Sequence, residues 1–253
     1  DNVNKLIKRD NVDVLVGTVH SGVALAMAKA AKDSNTLLIV PNAGADAITG
    51  PMCAPSIVRS SFTNWQPGYA TGVVAAQKGH KRAMTITWNY AAGAEAVKGF
   101  AEGFEKGGGK VLKDLNVPFP TDGTLEAQGA AAQGLLTALH YADNLETPRN
   151  NAFRKAYALT YKANADVYAV QGYDAAQILG AGLLAAKGDL AKRDVITAAM
   201  RKVTVDSPRG KFTISAAGNP VQDIYLREVK GINNEYRSVA VKALADPARG
   251  CRL

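Results

Sequence analysis

The sequence predicts an α/β fold built on open parallel sheets with helices on both faces. Apolar segments rich in Val, Ile and Leu alternate with Ala-rich segments of helical character through the first half of the chain, and short polar links separate them. Continuous apolar strands that alternate with helices are typical of parallel sheets buried on both faces. The chain has 253 residues, of which 47% are hydrophobic, so it is long enough for one large domain or two modest ones.

In the first half, each predicted strand leads through a turn to the next unit. A strand over 12–19 is followed by a helix over 22–32, and a second strand over 36–40 ends in a turn that begins at Pro41. The same alternation predicts strands at 56–62, 83–88 and 110–117 and helices at 66–78 and 94–105. This order favours parallel pairing with helical crossovers.

The second half changes character. After a short strand at 135–141, helical patterns extend over 150–162, 166–187 and 190–203. The tail returns to strands, at 210–215, at 223–230 and near 238–241. Helices followed by strands of antiparallel character predict that the chain leaves one lobe and ends in another.

The turn after the first strand is the best candidate for a binding site. The apolar run ends at Gly17, and the polar turn 20–22 then leads into the first helix. Free backbone N–H groups, a hydroxyl and the positive end of a helix at one place suit a carboxylate or phosphate. Polar turns at 42–44 and 89–90 also follow strands, and ligands of such sheets bind at the carboxyl ends of strands.

Composition and charge exclude several classes. The formal charge is +8, but basic residues are dispersed, and the densest cluster, within 78–82, lies at a helix end where cations are favourable. Nucleic-acid binding is therefore not expected. No apolar run approaches the roughly 20 residues that a membrane span needs. Residues 1–10 do not form a signal peptide, which leaves a cytoplasmic protein or the mature form of an exported one.

Catalytic and metal motifs do not match. The segment Gly-Thr-Val-His-Ser-Gly over 17–22 differs from the G-x-S-x-G nucleophile elbow. The glycines at 107–109 precede a strand and lack the spacing of a phosphate loop. His, Asp, Glu and Cys show no metal-ligand spacing. We therefore predict neither an enzyme nor a cofactor.

Single residues leave alternatives open. Cys53 and Cys251 could form a long-range disulfide or remain free thiols. Trp65 and Tyr90 lie near strand ends or loop edges, where they could pack in a core or against a ligand. Gln171, on a polar and aromatic helix face, suits either a ligand contact or packing between lobes.

Five segments together resemble the type I periplasmic solute-binding proteins of ABC importers, the branched-chain-amino-acid receptor family. The resemblance covers essentially the whole chain and is greatest to the group that binds aromatic acids such as benzoates and phenylpropenoates. Its segments are NVDVLVGTVHSGVALA at 11–26, LIVPNAGAD at 38–46, SSFTNWQP at 60–67, TITWNYAAG at 85–93 and QDIYLREV at 222–229.

The resemblance implies two α/β lobes, each a parallel sheet flanked by helices, with a ligand cleft between them. The first lobe would hold 1–82 and 144–205, and the second 83–143 and 206–253. Family members normally begin with another strand–helix–strand before Asp1 and carry some 30 or more further residues where Pro120 meets Thr121. We therefore expect an N-terminal unit and a segment between 120 and 121 to be missing.

The resemblance also implies the roles of the candidate residues. Ser21 and Gly22 would hold the ligand carboxylate, helped by Asn42, Ala43 and Gly44, and His20 would add a hydrogen bond or a cation. Trp65 and Tyr90 would pack on an aromatic ring. The expected ligand-binding set is His20, Ser21, Gly22, Asn42, Ala43, Gly44, Trp65, Tyr90 and Gln171.

The implied function is capture of a small carboxylate, an aromatic acid of the benzoate or phenylpropenoate type, by lobe closure and without chemistry. A periplasmic location, with its signal peptide removed, would favour a bridge between Cys53 and Cys251. The expected partners are the ligand and the membrane permease of an ABC importer, with no nucleic acid, and we expect a monomer. The alternatives are a receptor for branched-chain or other amino acids, a cytoplasmic sensor of the same fold, and an enzyme that uses Ser21.

Overall fold

The computed structural model describes residues 1–118, 132–231 and 233–253, which divide into two compact units. Unit 1 comprises Asp1–Thr63, Arg149–Gln222 and Ala245–Leu253, and unit 2 comprises Asn64–Pro148 and Asp223–Leu244. The lobe boundaries proposed from the sequence stay a prediction. The compact units differ from them most clearly at 64–82, which falls in unit 2.

Unit 1 is built on a three-stranded parallel sheet in the order β1-β2-β3. Its first elements are α1 (Asn2–Lys8), β1 (Val14–Val16), α2 (Ser21–Ser34), β2 (Leu37–Val40) and β3 (Ile57–Arg59). A short 3₁₀ helix, Asp46–Ile48, lies in the connection between β2 and β3. The parallel sheet predicted from the apolar runs is confirmed, although β1 has 3 residues where the sequence suggested 12–19.

Helices cover both faces of this sheet. Unit 1 continues with α5 (Pro148–Tyr161), α6 (Val167–Ala185), α7 (Arg193–Lys202), β7 (Thr204–Val205) and β8 (Phe212–Ile214). Leu38 and Val40 pack in one core cluster with residues of α2. Leu37 and Ile39 pack in another cluster with residues of α6 and α7. Because successive strand residues point to opposite faces, β2 is buried completely.

Unit 2 combines a parallel strand pair with antiparallel strands. Its elements are α3 (Trp65–Gln77), β4 (Arg82–Trp88), α4 (Ala91–Lys106), β5 (Lys110–Val117), β6 (Leu136–Leu139) and β10 (Asn233–Leu244). Strand β9 (Pro220–Lys230) begins in unit 1 beside β8 and continues in unit 2 beside β6 and β10. The antiparallel character expected for the tail is confirmed in the β8–β9 and β6–β9 pairs.

Glycines let α3 and α4 pack closely in unit 2. A Cβ atom at Gly72 would lie 2.2 Å from the carbonyl oxygen of Phe100, and one at Gly103 would lie 2.2 Å from that of Tyr69. Any side chain at either position would therefore force the helices apart.

A disulfide joins Cys53 to Cys251 within unit 1. This resolves the alternative that the cysteine count left open. Among the helices of the described ranges, none combines the length and apolar character required to cross a membrane.

Several local predictions were wrong in extent. Helix α1 was not expected within the polar segment 1–10, and β10 is much longer than the strand expected near 238–241. Local pattern underestimates such elements because tertiary contacts decide where a weak helix or an exposed strand persists. The junction between Pro120 and Thr121 lies outside the described residues.

Candidate functional site

The turn before α2 places a hydroxyl at the start of a helix. Ser21 is the first residue of α2 and is 5% exposed. Its side-chain hydroxyl and its backbone N–H have no hydrogen-bond partner among the residues that the structure describes. These two groups and the positive end of the 14-residue helix can act together on an anion.

His20 caps this helix. Its Nδ1 accepts a hydrogen bond from the backbone N–H of Gly22 at 3.1 Å, in the position usually filled by Ser, Thr, Asp or Asn. The Gly22 N–H, which the sequence analysis assigned to the ligand, is therefore engaged within the turn. A ligand would have to compete with His20 for it, and the roles of both residues stay predictions.

The loop after β2 lies beside this turn. The backbone N–H of Ala43 donates to the carbonyl of Thr18 at 2.9 Å, and Gly17 N–H donates to the carbonyl of Ile39 at 3.1 Å. These bonds hold the ends of the neighbouring parallel strands β1 and β2 together. The Ala43 N–H is consequently used by the fold, and the predicted contact of this residue with a ligand stays a prediction.

The same loop carries two buried N–H groups that have no partner among the described residues. Gly44 is buried, and Ala45 is 0% exposed. Neither backbone N–H has a hydrogen-bond partner in the described part of the chain. Buried backbone donors without partners are rare because each costs about 1–3 kcal/mol. Ala45 has no exposed surface, so Gly44 is the residue of this loop whose N–H an acceptor from outside the chain can satisfy.

Asn42 and Gln171 hold each other. Asn42 Nδ2 donates to Gln171 Oε1 at 2.8 Å, and Gln171 is 1% exposed. The hydroxyl of Ser61 donates to the carbonyl of Asn42 at 3.0 Å. Gln171 thus anchors the loop after β2, and its role in ligand contact stays a prediction.

A buried ion pair extends this polar network. Arg209 and Asp174 are 3% and 0% exposed, and Arg209 Nε lies 3.0 Å from Asp174 Oδ2. The Arg209 guanidinium also donates to the carbonyl of Ser60 at 2.6 Å and to Gln222 Oε1 at 2.6 Å. Burial raises the pKa of Asp174 to about 6, although the charge of Arg209 and the hydrogen bond from Ser207 act in the opposite direction.

The buried Asp174 carboxyl predicts a pH dependence of stability. Its pKa in the folded state, about 6, is above its ordinary value of 3.8, so the folded protein binds this proton more tightly. The contribution of this proton to the free energy of unfolding is complete below about pH 4. It is lost as the pH rises through about 6, a change of up to about 3 kcal/mol.

Urea unfolding at several pH values between about 4 and 7 tests this prediction. The free energy of unfolding should fall with rising pH in the parent protein, and this fall should be absent in Asp174→Asn. The exposed Asp33, paired with Lys29, provides the control Asp33→Asn. The same slope in Asp174→Asn as in the parent would contradict this assignment.

The two aromatic candidates belong to unit 2. Trp65 is 6% exposed, its ring stacks on Tyr69 with centroids 4.6 Å apart, and its Nε1 donates to Glu102 at 2.7 Å. Little of its ring area remains for a ligand. Tyr90 is the half-buried N-cap residue of α4. Their part in ligand packing stays a prediction.

Arg59 and the network around Arg209 were not predicted from the sequence. One signal was available for Arg59, a lone charged residue that ends an apolar strand and is 0% exposed in the structure.

The described ranges hold no group of three or more His, Cys, Asp or Glu residues that could bind a metal. The site offers hydrogen-bond donors and a helix end, which together suit a carboxylate.

Known proteins share this fold and parts of the sequence. The profile of a family described as "Periplasmic binding protein" matches residues 1–124 and 121–235. Leu/Ile/Val-binding protein homolog 6 of Brucella suis is 26% identical over 285 residues, which cover 89% of this chain and 72% of that protein.

Two crystal structures of ABC-transporter solute-binding proteins are similar over nearly all of the chain. The R. palustris protein in complex with benzoate is 42% identical with a TM-score of 0.91, and the match covers 100% of this chain and 84% of that one. The Rhodopseudomonas palustris BisB5 protein in complex with 3,4-dihydroxybenzoic acid is 28% identical with a TM-score of 0.85, covering 97% and 83% of the two chains.

Proposed function

Since this chain belongs to the periplasmic binding protein family, we propose that it is the periplasmic receptor of an ABC importer for a small aromatic carboxylate. It captures the ligand by closure of its lobes and performs no chemistry. Binding to the closed state more tightly than to the open state drives such a closure. The membrane permease of the importer is its partner.

Two donors beside α2 that have no partner within the described ranges carry this proposal. The Ser21 hydroxyl and the N–H of Gly44 lie at the ends of adjacent parallel strands, where this type of sheet binds ligands. Hydrogen bonds from such donors to a charged acceptor are worth about 1.5–3 kcal/mol each. A benzoate-type ligand is supported by the 42%-identical R. palustris protein, which was crystallised with benzoate.

Trp65, Tyr90, His20 and Asn42 remain proposed ligand neighbours, with Ser21 and Gly44 as the principal carboxylate donors. An amino-acid ligand is the second candidate, because the similar Brucella protein is named a Leu/Ile/Val-binding protein homolog. Amino acids carry an ammonium group in addition to the carboxylate, so the two ligand classes can be separated by experiment.

A thermal-shift screen tests the proposed ligand class. Benzoate, 4-hydroxybenzoate, cinnamate and leucine are each added to the purified protein. A ligand at 100 times its dissociation constant stabilises the folded state by about 2.7 kcal/mol, which corresponds to a rise in Tm of roughly 5–10 °C for a chain of this size. We expect this rise with the aromatic acids. A rise with leucine alone would favour the amino-acid receptor.

A further inference from the structure

Arg59 is a fully buried cation behind the loop that carries the proposed donors. It ends β3, is 0% exposed, and its guanidinium donates to the carbonyl oxygen of Ala43, to that of Ala45 at 2.6 Å and to that of Phe62 at 3.2 Å. The hydroxyl of Thr49 lies 3.5 Å from the same group. A single side chain thus holds the carbonyls of Ala43 and Ala45, the two residues on either side of Gly44.

Peptide geometry connects these carbonyls to the donors on the opposite side. The Ala43–Gly44 peptide is trans, so the Ala43 carbonyl and the Gly44 N–H point in opposite directions. Because the carbonyl points toward Arg59, the Gly44 N–H points away from it. A rotation of this peptide would turn the carbonyl toward a bound anion in place of the N–H, and the buried guanidinium opposes that rotation.

Hydrogen bonds within unit 1 also fix the direction of the preceding peptide in this loop, between Asn42 and Ala43. The carbonyl of Asn42 accepts from the hydroxyl of Ser61, and the N–H of Ala43 donates to Thr18. The carbonyls of Asn42, Ala43 and Ala45 therefore all face donors of unit 1, while the N–H groups of Gly44 and Ala45 have no partner within the described residues. This arrangement leaves the Gly44 N–H, and no carbonyl of these three residues, for an acceptor from outside the chain.

We propose that Arg59 is a positioning residue that sets the preference of the site for a carboxylate over a neutral group of the same shape. This inference rests on the proposed function, because it concerns the donors that would hold the ligand. Arg59 acts through the direction of the Gly44 N–H and does not itself touch the ligand.

The test compares benzoate with benzamide, which keeps the ring and replaces the carboxylate by an amide. Dissociation constants for both compounds are measured by calorimetry in the parent protein and in Arg59→Lys. Lysine retains the positive charge but lacks the planar guanidinium that binds two carbonyls at once. We expect the parent to bind benzoate more tightly than benzamide. The ratio of the two dissociation constants should fall about tenfold or more in Arg59→Lys, which corresponds to the loss of one charge-assisted hydrogen bond. Arg59→Met, where it folds, should reduce the preference further.

Arg201 provides a matched control. Its guanidinium also donates to backbone carbonyls of unit 1, and none of them belongs to the loop 42–45. The acceptors are the carbonyls of Ala54, Pro55, Ile57 and Ala216. Arg201→Lys should lower Tm because it weakens these hydrogen bonds. The ratio of the dissociation constants for benzoate and benzamide should stay within about twofold of the parent, because Arg201 is independent of the loop 42–45.

The outcomes separate the two proposals. A parent protein that binds neither compound contradicts the proposed function. A parent that prefers benzoate, with the same ratio in Arg59→Lys, overturns the role of Arg59 and leaves the proposed function standing. An equal fall in Arg59→Lys and Arg201→Lys also overturns it, because the effect would then be general loosening of unit 1.

Discussion

Ser21→Asp is expected to weaken benzoate binding at least about a thousandfold. The substitution removes the hydroxyl donor, worth about 1.5–3 kcal/mol, and places a negative charge where the ligand carboxylate would lie. Two like charges about 4 Å apart repel by about 4 kcal/mol in a site of intermediate polarity. Calorimetric titration with benzoate measures the loss.

The positive end of α2 offsets part of the cost of burying this charge. Ser21 is the first residue of α2, and acidic side chains are favourable in the first turn of a helix. Ser34→Asp makes the same change of charge at the exposed last residue of the same helix and should leave the benzoate dissociation constant within about threefold. If Ser21→Asp is folded and binds benzoate within tenfold of the parent, the carboxylate does not lie at Ser21.

Loss of the disulfide is expected to cost up to about 5 kcal/mol of folding free energy. The bridge closes a loop with a sequence separation of 198 residues, and the chain-entropy estimate rises with the length of the loop. Domains are typically stable by about 5–15 kcal/mol, so this loss is a large fraction of the total. Urea unfolding of Cys53→Ala/Cys251→Ala against the parent measures it.

A reductant provides the control for this prediction. The parent protein should lose stability when it is reduced, and the double variant should be insensitive to reduction because the chain contains only these two cysteines. Equal urea midpoints for parent and variant would show that the bridge contributes nothing. A disulfide of this kind is suited to an oxidising compartment such as the periplasm.

The sequence predicts best what is determined locally. The change at Gly17 from β-branched residues to a Ser-Gly turn and an Ala-rich helix identifies the start of α2 and the special position of Ser21. The same kind of pattern predicts β2, because a strand buried on both faces consists of consecutive apolar residues. Both features need only neighbours in the chain.

The sequence does not reveal what depends on distant contacts. His20 caps α2 through a ring nitrogen, a geometry that the residue type alone does not indicate. Arg59 is buried because the loop 42–45 folds back over β3 and supplies carbonyl acceptors. Asp174 and Arg209 form an ion pair although they are 35 positions apart in the chain, and no rule of sequence spacing predicts such a pair.

The cysteines illustrate an intermediate case. Two cysteines allow one intramolecular pairing, but only the positions of Cys53 and Cys251, with Cα atoms 5.5 Å apart, establish it. Likewise, the polar turns at 42–44 and 20–22 could each be recognised from sequence. The bond from Ala43 to Thr18, which brings them together, follows from the parallel register of β1 and β2.

Calorimetric titration of the purified parent protein with benzoate and with leucine measures which class of carboxylate this chain binds. We expect a saturable heat of binding with benzoate, one ligand per chain, and none with leucine at the same concentrations. Binding of leucine without binding of benzoate would contradict the claim that this chain is a receptor for aromatic carboxylates.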